Sequence, residues 1–123
     1  MLIFGIGGNI DDIGGVENSV KSMIALYNET SPITLVCHAH VNDKARQYQP
    51  PPGTQVTVIE YTARSWKKNP LLKVYRQLHK DNQGALVIAR HHKHVIAASR
   101  AGFKTVYLVP SMIHLQIRAE TAG

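Results

Sequence analysis

Short apolar runs alternate along this chain with segments whose apolar residues recur three and four positions apart, and that alternation is its strongest constraint. Leu2 to Ile6, Ile33 to Cys37, Gln55 to Tyr61, Ala85 to Ala89 and Lys104 to Val109 read as five strands. Between them lie Val16, Val20, Ile24 and Tyr27, then Leu71, Leu72, Tyr75 and Leu78, then the alanine-rich stretch His94 to Ala101, each at helical spacing. Strands that alternate with helices pair in parallel, because a parallel neighbour is reached only through a crossover, and both sheet faces are then covered. The expected fold is α/β: a Rossmann-like open parallel sheet of about five strands with helices on both faces.

Turn chemistry supports these boundaries. Thr30-Ser31-Pro32 ends the first helix, and Asn69-Pro70 opens the second with a side chain suited to an N-cap and a ring suited to the first helical position. Asn82-Gln83-Gly84 ends the second helix and Gly102 the third, while Asn42 to Gly53, with three consecutive prolines, reads as an irregular loop. Residues 111–123 show no pattern, and no internal repeat or low-complexity segment occurs. A chain of 123 residues, 44% hydrophobic, makes one domain with an ordinary core.

A formal charge of +6 favours phosphate-bearing partners such as nucleotides or anionic lipid headgroups. The basic residues, among them Lys67, Lys68, Lys73, Arg76, Arg90, Lys93, Arg100 and Lys104, are dispersed rather than blocked as in nucleic-acid tails, and they also suit a solvated face. No nucleic-acid partner is expected. A single cysteine permits no disulfide framework and no paired-cysteine metal site, which fits a cytoplasmic setting. The start lacks a basic lead and no run is long enough to span a bilayer, so neither secretion nor membrane insertion is expected.

Met1 to Glu17 runs from an apolar strand through a glycine-rich loop into a helix. Bare amides and a helix N-terminus suit an anion there, although the same letters suit a tight turn that binds nothing. Gly5-x-Gly7-x-x-Ile10 lacks the third glycine of a dinucleotide fingerprint, so no dinucleotide cofactor is expected.

Ligands of open parallel sheets bind beyond the carboxyl ends of the strands. The residues that follow the predicted strands there are Asn9, Asp11 and Asp12, then His38 and His40, then Thr62 and Arg64, then Arg90, His91, His92 and His94. Such a rim suits group transfer, with a histidine as base or donor and backbone amides on a phosphate. A metal site would need two or three of Asp11, Asp12, His38, His40, His91 and His94 to converge, which spacing does not require. No metal is assigned. Cys37 reads as a small core residue, and Trp66 beside Lys67-Lys68 as a loop-edge aromatic with a basic flank.

Gly14-Gly15-Val16-Glu17 before an amphipathic helix resembles the GGxE-type opening of the retaining GT-B glycosyltransferases. The runs Leu71 to Leu78, Gly84 to His91 and Ala97 to Pro110 resemble the N-terminal half of that family in order: helix, strand ending in histidine, alanine-rich helix, strand. The resemblance implies an acceptor-side domain that helps move sugar from a nucleotide-sugar donor to a glycan or lipid-linked acceptor. Gly14 and Gly15 would then lie at the donor diphosphate, His91 at the reaction centre with His92 as the alternative alignment, and Asn9, Asp11, His38, Arg90 and His92 toward the acceptor. It also implies a second Rossmann-like domain carrying the nucleotide pocket, an inactive fragment in its absence, and peripheral contact with the inner face of an anionic membrane. Gly84-Ala85 and Pro110-Ser111 depart from the family's acidic residue and His-Gly pair. Two rivals stand beside it: a stand-alone phosphate- or nucleotide-binding module, and a metal-dependent hydrolase using the Asp and His rim.

Overall fold

In the computed structural model, which describes residues 1–42, 44–62 and 69–108, eight elements follow one another. They are β1 (Leu2–Gly5), α1 (Gly15–Tyr27), β2 (Ile33–His38), β3 (Val56–Tyr61), α2 (Pro70–Asp81), β4 (Leu86–Ala89), α3 (His92–Ala101) and β5 (Lys104–Tyr107). All five strands are parallel, in the order β3-β2-β1-β4-β5. The α/β reading of the sequence therefore holds, with three helices flanking the sheet.

The period-two alternation of a strand sorts the core into two layers. Phe4, Ile6, Leu35 and Cys37 pack against Val20 and Ile24 of α1, while Ile3, Val36 and Val87 pack against Leu71 and Tyr75 of α2 and Ala97 and Ala98 of α3. Parallel registers hold β1 at the centre, with Phe4 opposite Leu35 on one side and Ile88 on the other. The ladder carries on past β1, since the Ile6 amide donates to Val36 O at 3.0 Å.

Local chemistry sets the helix ends. Asn69 Oδ1 accepts from the Leu72 amide at 3.3 Å, with Pro70 at the first helical position. Gly102 takes a φ of 106°, the left-handed conformation that ends helices at low cost only in glycine, and its amide reaches Ser99 O at 3.1 Å. The third helix starts at His92, two residues before the start read from the alanine-rich pattern, because His91 supplies the cap. The predicted Val109 end of the fifth strand, Arg64, Trp66, Lys67, Lys68 and 111–123 lie outside the described residues. Among the described residues no helix is long and apolar enough to cross a membrane.

Candidate functional site

With this strand order the chain leaves β1 toward α1 on one face and leaves β4 toward α3 on the other, so a crevice opens between the carboxyl ends of β1 and β4. Gly7, two residues past β1, and His91, two past β4, meet there. A Cβ on Gly7 would lie 2.7 Å from His91 Cδ2, so the imidazole rests where a side chain would stand. Gly5 points the same way, and a Cβ there would strike the Tyr75 hydroxyl and the His94 ring. Gly5 is thus closed off beneath Tyr75 and His94, and the exposed backbone at the position where such sheets address ligands is that of Gly7.

From this point a cavity of about 410 Å³ runs between α2 and α3. Gly7, His38 and Tyr61 line it from the strand ends, Asn69, Pro70 and Leu71 from the start of α2, and His91, Lys93, Ile96, Ala97 and Arg100 from α3. Its size is within the range of small-molecule sites. Among these residues there is no carboxylate, thiol or aliphatic hydroxyl. Two helix N-termini border it, and their first-turn amides and dipoles favour negative charge.

His91 caps α3. Its Nδ1 accepts from the Lys93 amide at 3.2 Å, which assigns the proton of the neutral ring to Nε2. Burial, with the neighbouring His92 and Lys93 adding to it, holds its pKa below the usual histidine range. The ring is therefore neutral at neutral pH, and with Nδ1 engaged as the cap it presents the Nε2–H as a donor. His92 is exposed and stacks on it, with centroids 4.3 Å apart. His38 Nδ1 donates to Ala39 O at 2.6 Å, and its ring meets Tyr61 edge to face at 5.2 Å.

Beneath the cavity His94 is fully buried, with Nδ1 2.8 Å from the Tyr75 hydroxyl and Nε2 3.1 Å from the Tyr61 hydroxyl. Burial, with His91 next to it, drives its pKa down to about 3, so it is neutral. Burial likewise pushes the Tyr61 hydroxyl up to about 12 and the Tyr75 hydroxyl still higher.

The other rim residues hold loops. Asn9 Nδ2 donates to His38 O at 2.7 Å, and its Oδ1 accepts from the Asp11 amide at 2.9 Å. Asp11 accepts from the Gln47 amide at 2.6 Å, the Tyr48 amide at 2.7 Å and His40 Nε2 at 2.7 Å. Burial alone would raise its pKa, but the two amides and His40 together bring it down to about 2. Arg90 spans the sheet edge, donating to Leu108 O at 3.2 Å and Ser19 Oγ at 3.0 Å. Cys37 is buried, and burial pushes its thiol up to about 11, as suits a core residue.

Gly14 and Gly15 open α1, on the other face from α2 and α3, and neither lines the cavity. A Cβ on Gly14 would lie 2.6 Å from Glu17 Oε2, so a carboxylate already attends this helix start. A second cavity, about 470 Å³, lies beside Asp11 and is lined also by Lys21, His40, Lys44, Gln47 and Tyr48. Among the described residues no three of His, Cys, Asp or Glu converge so as to hold a metal ion.

Sequence reasoning singled out His91 and His38, named Lys93 and Arg100 only among the dispersed basic residues, and gave no site role to Tyr61, Asn69 or Ile96. The usable signal was the spacing of Lys93, Ile96, Ala97 and Arg100, which share one helix face once α3 begins at His92. Comparison of the chain with protein-family models, with curated proteins and with solved structures found no match.

Proposed function

We propose that this domain binds a phosphorylated small molecule in the cavity at the β1–β4 crevice and holds it without chemical turnover. The single observation that carries this reading is the cavity's composition: Lys93, the Nε2–H of His91 and two helix N-termini stand about the Gly7 backbone, with Arg100 two turns further along α3 and no carboxylate among the described lining. Such a lining attracts a phosphate. Among the described lining no carboxylate, thiol or aliphatic hydroxyl is present for cleaving or transferring a group. The net charge of +6 adds long-range attraction for an anion.

Calorimetry with inorganic phosphate and with nucleoside mono- and diphosphates tests the reading directly. Binding by the chain alone is expected, weakened by Lys93→Ala, with no release of phosphate from a chromogenic phosphomonoester. Absence of binding in the millimolar range, or steady turnover, overturns it.

A second reading, the acceptor-side domain of a GT-B glycosyltransferase, is favoured by one observation: the histidine after β4 stands at the crevice of an all-parallel sheet. In that reading His91 faces the reacting sugar and the nucleotide-sugar donor is held mainly by another domain. Sugar transfer restored by adding such a domain, together with weak or no nucleotide binding by this chain, would select it.

A further inference from the structure

The cavity is lined by two turns of α3, with a cation at the start of that stretch and another at its end. Lys93, Ile96, Ala97 and Arg100 occupy positions i, i+3, i+4 and i+7 of one helix face and all line it. At the rise of an α-helix, seven residues separate Lys93 from Arg100 by about 10 Å. Between these cations the wall is apolar: Ile96 and Ala97 face Pro70 and Leu71 from the first turn of α2. Ile96 is 55% exposed, a large aliphatic side chain left at the mouth rather than drawn into the core. Among the described residues no carboxylate pairs with Arg100.

We infer that the ligand is an elongated dianion: a phosphate at the His91–Lys93 end, an apolar body across Ile96 and Leu71, and a second anionic group, phosphate or carboxylate, at Arg100. This rests on the phosphate-site reading above and adds to it the far anion and the apolar span. The argument is charge complementarity to two cations that one helix face holds about 10 Å apart. A planar guanidinium engages either anion in two parallel hydrogen bonds, and the apolar wall between the cations rewards methylene or ring carbons rather than a polar linker.

Titration of the full chain with inorganic phosphate, hexyl phosphate and the six-carbon α,ω-bisphosphate, whose phosphates span a comparable distance when extended, separates the parts. Hexyl phosphate is expected to bind more tightly than inorganic phosphate, and the bisphosphate about tenfold more tightly again, the worth of one charge-assisted contact. Arg100→Gln is expected to abolish that last gain and leave hexyl phosphate unchanged. Ile96→Asn should weaken both alkyl ligands and spare inorganic phosphate. Both side chains are exposed, so the variants should fold, which far-UV circular dichroism checks. An ω-carboxyalkyl phosphate of matching length, run in parallel, is expected to share the gain if Arg100 takes a carboxylate as well as a phosphate. A bisphosphate no tighter than hexyl phosphate, or indifferent to Arg100→Gln, overturns this inference while leaving the phosphate site standing. Failure of all three ligands to bind overturns the site reading, and this inference with it.

Discussion

Acid should unfold this protein through one imidazole. His94 is buried between two tyrosine hydroxyls, and its pKa falls from 6.5 to about 3. In the unfolded chain the ring regains its ordinary pKa, so between these limits the unfolded state holds a proton that the folded state lacks. The contribution is fully present above pH 6.5 and drains away as pH falls toward about 3. Each unit is worth about 1.4 kcal/mol, so roughly 3 kcal/mol is lost by about pH 4.5 and on the order of 5 kcal/mol in all. Against a typical total of about 5 to 15 kcal/mol this decides whether the fold survives. Asp11, whose pKa drops from 3.8 to about 2, acts in the same direction in a lower window. Urea unfolding followed by circular dichroism, from neutrality to about pH 4.5 at constant ionic strength, measures the slope before carboxylates intervene. His91→Asn, which keeps a good cap and removes the second depressed imidazole, should retain most of the slope. A flat stability over that range, or a His94 ring resonance titrating near its ordinary value, would refute the reasoning.

Other consequences follow from single contacts. Gly5→Ala would press a methyl onto the Tyr75 hydroxyl and His94, and is expected to cost about 1 to 3 kcal/mol in thermal unfolding. Asn69→Ala should cost about 1 to 2 kcal/mol, since it removes the cap of α2 and leaves a non-glycine residue without an asparagine's tolerance of φ 39°. Asp11→Asn should release the segment around Gln47 and Tyr48, read as faster tryptic cleavage at Lys44 and Arg46 in a protein whose melting temperature changes little. The Cys37 thiol should resist alkylation in the folded state and react on addition of urea.

How much of this was legible in the letters depends on how local each cause is. Ile33 to Cys37 is apolar throughout because both of its faces are covered, and that run alone indicates a parallel strand. Asn69-Pro70 and Gly102 mark helix ends by chemistry contained in one or two residues. The start of α3 was set two residues late because an imidazole is an uncommon cap, and His91 carries none of the usual cap letters. The site is less local still. Asp11 finds its partners 29, 36 and 37 residues away, and nothing near it in sequence announces a loop clamp rather than a ligand. Gly7 and Gly14 look alike as letters, and only the face onto which each strand end turns separates the one beneath His91 from the one beside Glu17. Tyr61, Tyr75 and His94 come from a strand and two helices, which no periodicity links.

The hydroxyl–imidazole–hydroxyl chain under the cavity works as a dowel driven through β3, α3 and α2. Sliding either helix by one turn would break the buried Tyr75–His94 contact and strand its polar atoms, so the gap between α2 and α3 is held at one width. A guest must then match a preformed slot instead of moulding it, and selection among candidates becomes a matter of length and outline, with little waiting for the host to rearrange.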